Sequence, residues 1–187
     1  MKNILLGVTG SIAAYKAADI ANTLTKKGYS VNVVMTKNAT EFISPLTLET
    51  LSKNPVYSDS FERVGDYNVE HIGLAKKADV VIIAPATANI IGKIASGIAD
   101  DMLSTTLMAI RDKPIIICPA MNTNMYENPI VQKNISELKE LGYQFIDPKE
   151  SLLACGDLGK GALADIDTII NFIEQLNGEK ADHFSTR

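Results

Sequence analysis

Reactive side chains are scarce in this chain. Cysteine occurs at 118 and 155, and histidine at 71 and 183. Cys155 sits in Leu153-Ala-Cys-Gly-Asp-Leu-Gly-Lys-Gly-Ala-Leu163, among glycines that permit backbone angles other residues avoid. A loop of that kind is a turn, a binding loop or a lid, and a thiol on it is the better placed of the two for chemistry. Cys118 ends an apolar run and reads as packing. His71, in Val69-Glu-His-Ile-Gly-Leu-Ala75, stands at the start of a helical pattern, a setting that suits a structural imidazole as well as a catalytic one.

Amides and hydroxyls follow the apolar runs. Pro119-Ala-Met-Asn-Thr-Asn-Met-Tyr126 puts Asn122 directly after a buried segment, where its amide could hold a carboxylate without adding charge. The alternative is a polar loop whose methionines cover the core edge. Gly7-Val-Thr-Gly-Ser-Ile-Ala13 joins a strand to a helix, so Gly10 and Ser11 suit either a phosphate at the helix end or a capped tight turn. It is not GxGxxG, and no dinucleotide fingerprint is present. Thr36, Ser44, Thr87 and Asn89 carry the same ambiguity between ligand donor and cap.

These residues need a scaffold. Asn3–Val8, Ser30–Met35, Asp79–Ala84, Pro114–Cys118 and Tyr143–Ile146 read as buried parallel strands. Helical spacing places Ile12, Ala13, Ala17, Ile20, Ala21 and Leu24 on one face before Gly28. Ile130, Ile135, Leu138 and Leu141 are similarly spaced before Gly142. Asp165 or Asp167 caps a last helix carrying Ile169, Ile170, Ile173 and Leu176. The alternation predicts an α/β fold: a single-domain open parallel sheet with helices on both faces, Rossmann-like or flavodoxin-like. Such sheets bind ligands at the carboxyl ends of their strands, where the unusual residues lie. Asn54–Asn68 is less regular and reads as an excursion from the sheet. The domain is expected over 1–177, with a flexible polar tail over 178–187.

Composition narrows the classes. The 187 residues are 46% hydrophobic and 21% charged, ordinary for a globular domain. A formal net charge of -4 without a basic cluster argues against nucleic acid. No apolar run approaches the ~20 residues that span a bilayer, and the strand-like start lacks a signal peptide's features. The cysteine contexts suit neither a disulfide framework nor a zinc site, so no metal and a reducing cytoplasm are expected.

Together the motifs resemble one family. Gly7-Val-Thr-Gly-Ser-Ile-Ala-Ala-Tyr-Lys16, His71-Ile-Gly-Leu-Ala75, Ala84-Pro-Ala-Thr-Ala-Asn89, Gly97-Ile-Ala-Asp-Asp101, Pro119-Ala-Met-Asn-Thr-Asn-Met125 and Leu153-Ala-Cys-Gly156 occur in the order found in the flavin-dependent cysteine decarboxylases. The resemblance spans about residues 1–175. It implies FMN between the protomers of a homotrimer that can assemble further, into a dodecamer. It puts Gly10, Ser11, Ile12, Thr36, Ser44, Thr87, Ala88, Asn89 and Ala120 around the flavin. His71 matches the active-site histidine and Asn122 the carboxylate-gripping asparagine, with Met125, Ala154 and Gly156 also toward substrate. Cys155 matches the cysteine of a substrate-covering flap. The implied substrate is phosphopantothenoylcysteine of coenzyme A biosynthesis, handled by a monofunctional enzyme. Family flaps often continue Gly-x-Gly-Arg, whereas this chain has Gly159-Lys-Gly-Ala162. Lys160 is the nearest cation, though it lacks the bidentate fork of arginine.

The chemistry explains the pairing of flavin and thiol. A cysteine carboxylate leaves as CO2 only when its electrons have somewhere to go. Oxidation of CH2–SH to a thioaldehyde supplies that sink, and loss of CO2 gives an ene-thiolate. A saturated product needs a second reduction with a proton delivered to carbon, the role implied for Cys155. Peptidyl-cysteine decarboxylases of the same family stop at the ene-thiol and need no such cysteine. A non-catalytic regulatory subunit of this fold could lose His71, Asn122 or Cys155 freely, and all are present. Flavin prenyltransferases lack the Pro-x-Met-Asn and Ala-Cys-Gly motifs.

Overall fold

The computed structural model describes residues 2–58, 69–152 and 158–184. The runs rich in Val and Ile form strands of one parallel sheet. These are β1 (Asn3–Val8), β2 (Ser30–Met35), β3 (Val56–Tyr57), β4 (Val80–Ala86), β5 (Ile115–Pro119) and β6 (Gln144–Phe145). Their order is β3-β2-β1-β4-β5-β6, so chain order reverses between β1 and β4. This is the doubly wound arrangement with its switch point at that pair.

Between the strands run α1 (Lys16–Lys26), α2 (Lys37–Thr40), α3 (Pro45–Ser52), α4 (Glu70–Lys77), α5 (Ala88–Ala95), α6 (Met102–Met108), α7 (Thr123–Tyr126) and α8 (Pro129–Glu140). A hairpin of β7 (Lys149–Leu152) and β8 (Leu158–Ala162) stands apart from the sheet, and α9 (Ile166–Phe184) follows it. Strand alternation sends side chains to two cores. Ile4, Leu6, Val8, Val80, Ile82, Ile116 and Cys118 join Ala17, Ile20, Leu24, Leu48, Ile169 and Ile173 of α1, α3 and α9. Leu5, Val81, Ile83, Ile115 and Ile117 join Leu74, Ile90, Leu103, Tyr126 and Leu138 of α4 to α8 on the other face.

β1 and β2 have the bounds read from sequence. Several local expectations need correcting. The segment read as an excursion from the sheet begins with β3, whose Val56 and Tyr57 pair with Val33 and Val34 of β2. Ile12 is not on the buried face of α1. It lies in a 3-10 turn (Ile12–Tyr15) that precedes α1, and is 61% exposed. Ile130 and Leu141 are 69% and 73% exposed, because α8 buries only a narrow stripe through Ile135 and Leu138. Asp165 does precede α9, but its carboxylate is ion-paired with Lys149 of the hairpin. α9 spans Ile166–Phe184. Among the described residues no helix is long and apolar enough to cross a membrane.

Candidate active site

The carboxyl edge of the sheet is where the chain's neutral polar residues gather, and most of them cap helices. Ser11 accepts from the Ala13 amide at 3.3 Å at the start of the 3-10 turn. Thr36 accepts from Ala39 N–H at 3.3 Å at α2, and Ser44 from Leu46 N–H at 3.2 Å at α3. Thr87 accepts from Ile90 N–H at 3.3 Å at α5, with Ala88 and Asn89 in that helix's first turn. Asn122 accepts from Asn124 N–H at 2.9 Å at α7. Capping and ligand binding therefore need not compete. A cap on a helix that starts at a strand's carboxyl end also fixes its amides and positive dipole end toward that edge.

The loops are tied to one another. The Thr9 hydroxyl, 1% exposed, donates to Pro85 O at 2.7 Å and accepts from Thr87 N–H at 3.1 Å. It thereby closes the top of the β1/β4 switch point. Thr36 N–H donates to Val8 O at 3.0 Å, and Ala120 N–H to Ala86 O at 3.0 Å. Gly10 serves this assembly too: a Cβ there would stand 2.5 Å from Asn38 Cβ, so only glycine lets the β1 loop meet α2. Sequence reading places Thr9 among the unusual residues at the ligand edge but assigns it no role, because its partners Pro85 and Thr87 are distant in the chain.

His71 is the second residue of α4 and partly exposed. α4 leads into the amino end of β4, so its own N-terminus, with His71, lies toward the carboxyl edge. Met125 lies exposed on α7. Cys155, Ala154 and Gly156 lie outside the described residues. Cys118 is fully buried, and burial pushes its thiol far above the ordinary range, as a packing cysteine requires.

Sequence reasoning also missed the hairpin, whose glycines work by letting surfaces touch. A Cβ at Gly159 would stand 3.1 Å from Thr123 Cγ2 and closer still to its hydroxyl. One at Gly161 would press into Met121 O and stand 3.4 Å from the carbonyl carbon of Asn122. Met121 N–H donates to Gly161 O at 2.9 Å. Strand β8 is thus seated on the turn that carries Asn122. Lys160 faces away from that contact, 3.7 Å from Asp147 Oδ2 and 5.7 Å from the Tyr126 ring centre. Burial, helped by the Asp147 charge, raises the Tyr126 phenol.

The sequence matches the flavoprotein family model over residues 1–178. The chain belongs to the flavoprotein family. It is 55% identical over 175 residues to a probable phosphopantothenoylcysteine decarboxylase of Streptococcus mutans serotype c (strain ATCC 700610 / UA159), covering 93% of this chain and 98% of that protein. It is 49% identical over 179 residues to the coenzyme A biosynthesis bifunctional protein CoaBC of Bacillus subtilis (strain 168), covering 96% of this chain but 44% of that protein. Among solved structures, a PPC decarboxylase mutant complexed with pantothenoylaminoethenethiol superposes with a TM-score of 0.85 at 36% identity. That match covers 94% of this chain and 97% of the other. The FMN-dependent cysteine decarboxylase SpaF gives a TM-score of 0.79 at 33% identity, covering 91% and 93%. For this flavoprotein-family chain, the open doubly wound sheet is the fold that its solved relatives share.

Proposed function

We propose that this chain is an FMN-dependent decarboxylase that converts 4'-phosphopantothenoylcysteine to 4'-phosphopantetheine in coenzyme A biosynthesis. The observation that carries the reading is the Asn122 turn, capped at the carboxyl edge and held from outside by strand β8. The 55% identity to the Streptococcus mutans protein, along nearly its whole length, supports the substrate.

The edge suits a flavin phosphate and ring. Helices α3 and α5 begin there with capped first turns, and the glycine at position 10 keeps the β1 loop close to α2. Gly10, Ser11, Ile12, Thr36, Ser44, Thr87, Ala88, Asn89 and Ala120 would hold the group. When bound, FMN supplies a two-electron acceptor for the first half-reaction and the donor for the second.

The chain's own residues bind, orient and move protons. Asn122 keeps its Oδ1 on the Asn124 amide, so the NH2 end is the donor that a substrate carboxylate requires. His71 orients the substrate and assists as a hydrogen-bonding or acid/base group. Met125 would form an apolar wall, and the family resemblance assigns Ala154 and Gly156 to substrate binding. Oxidation of the CH2–SH to a thioaldehyde removes two electrons and two hydrogens. The carboxylate then leaves as CO2, and its bonding pair ends on sulfur in an ene-thiolate. In the second half-reaction Cys155 would deliver the proton to carbon, and the product would form as the saturated thiolate. Exposed Ile12, Tyr15, Phe42 and Leu46 are the apolar surface that a homotrimer would cover. The setting is the cytoplasm, with the catalytic domain over 1–177.

Mass spectrometry of FMN-loaded protein incubated with phosphopantothenoylcysteine tests this. Loss of CO2 alone supports the proposal, whereas a further loss of two hydrogens supports the peptidyl-cysteine type. Protein that cannot bind FMN excludes both. Cys155→Ser is expected to accumulate the decarboxylated, unsaturated thiol, and normal turnover by that variant removes Cys155 from the mechanism.

A further inference from the structure

The turn that carries Asn122 is too short to hold its own shape. α7 has four residues, closed by Tyr126 N–H donating to Asn122 O at 2.9 Å and Glu127 N–H to Thr123 O at 2.8 Å. One helical turn fixes many torsions for few bonds and is unstable alone. Its geometry must come from contacts outside it. Strand β8 provides a continuous set: Gly159 against Thr123, Gly161 against Met121 and, from the opposite face of the strand, Lys160 against Tyr126. The Thr123 hydroxyl is buried with no hydrogen-bond partner among the described residues, a sign of how closely β8 approaches. Gln132 Nε2 donates to Tyr126 O at 2.6 Å from α8.

Within that set Lys160 is the one residue of 159–161 with a side chain. Its ammonium stands 5.7 Å from the Tyr126 ring centre and 3.7 Å from Asp147 Oδ2. Asp147 is itself 4.0 Å from Lys139 of α8. The cluster frames an open cavity of about 440 Å³, whose lining includes Tyr126, Glu127, Lys139, Asp147 and Lys160. With lysines and carboxylates balanced around it, the cavity is a fastening point and not an anion site.

We infer that Lys160 is a positioning residue for the Asn122 turn, acting through the Tyr126 ring and Asp147. The inference rests on reading Asn122 as the group that holds the substrate carboxylate. In this role Lys160 acts on the turn, with its ammonium beside Asp147 and the Tyr126 ring. It keeps the C-terminal residue of α7 in place, and through the Tyr126–Asn122 backbone bond it keeps the cap that aims the amide.

The test compares wild-type, Lys160→Met and Lys160→Arg enzymes, all FMN-loaded. Two constants are measured: KM for phosphopantothenoylcysteine and Ki for phosphopantetheine, which lacks the carboxylate. Lys160→Met is expected to raise KM by roughly threefold to tenfold, the size of a cation–π contact with an ion pair. Its kcat should stay near wild type and its Ki should not change. Lys160→Arg should restore KM, because a guanidinium keeps a charge over the ring. An unchanged KM in Lys160→Met overturns the inference, as does equal weakening of substrate and product, which would place Lys160 at a shared part of the ligand. Should Lys160→Met fail to fold, Asp147→Asn is expected to raise KM in the same selective way, and an unchanged KM there overturns the inference. A wild-type protein that releases no CO2 overturns the functional reading itself, before any variant is made.

Discussion

Strands β1 and β4 are clasped at both ends, and the two clasps are built differently. At the amino edge the Asp79 carboxylate accepts from Lys2 N–H at 2.7 Å, Asn3 N–H at 2.9 Å and Asn3 Nδ2 at 3.3 Å. At the carboxyl edge the neutral Thr9 hydroxyl joins Pro85 O to Thr87 N–H. Burial alone would raise the Asp79 carboxyl, but the amide donors hold it below its ordinary value. A carboxylate satisfies several amides at once, so it suits an end with only stability to serve. The same charge at the other edge would repel the phosphate and carboxylate proposed to bind there. A hydroxyl, donating and accepting together, makes the joint without a field.

The largest effect on this contrast is expected from placing a charge on the ligand edge. Asn122→Asp keeps an oxygen for the Asn124 amide, and Asp caps helices as well as Asn, so stability should change by less than ~0.5 kcal/mol. Decarboxylation, followed as CO2 release, should fall by ~100-fold or more, because an amide donor is lost and a like charge faces the carboxylate. An active variant would mean the turn does not hold that group.

Thr9→Val comes next. It leaves Pro85 O and Thr87 N–H without their shared partner in a buried place, at a cost of ~1–3 kcal/mol in urea unfolding. FMN affinity should weaken with it, since the β1 and β4 loops lose their joint. A stability loss with unchanged FMN titration would reduce Thr9 to a structural bridge.

Asp79→Asn should have the smallest effect, ~1 kcal/mol at neutral pH, with FMN affinity unaltered. Its pH dependence follows from linkage. A carboxylate with a depressed folded-state pKa contributes fully above the ordinary carboxylate value of ~4 and loses that contribution as pH falls through the depressed value. The stability gap between wild type and Asp79→Asn should therefore be constant from neutral pH down to that range and shrink below it. Thr9→Val, lacking a titrating group, should show no such trend. A pH-independent gap for Asp79→Asn would remove the charge from the account.

The same physical difference explains what sequence could disclose. β1 and β2 were legible to the residue because buried parallel strands are continuous apolar runs with polar ends. The capping residues were legible as types, since Ser11, Thr36, Thr87 and Asn122 each follow a strand and precede a helix. What escaped was pairing across distance. Val56 and Tyr57 form too short a strand to show a pattern, and only β2 beside them makes them one. The hairpin strands carry charges and glycines without an apolar alternation, because their partners are each other and the Asn122 turn. Ile130 and Leu141 had helical spacing yet lie outside the narrow stripe that α8 buries.

The bond from Met121 N–H to Gly161 O is made entirely of main chain. It depends on no side chain's identity, only on room for the backbones to meet. The hairpin can therefore accept new residues outside 159–161 while its seat on the Asn122 turn survives. A transplanted hairpin should retain its docking if glycines stand at 159 and 161, and should hold the carboxylate turn in register if a lysine stands between them.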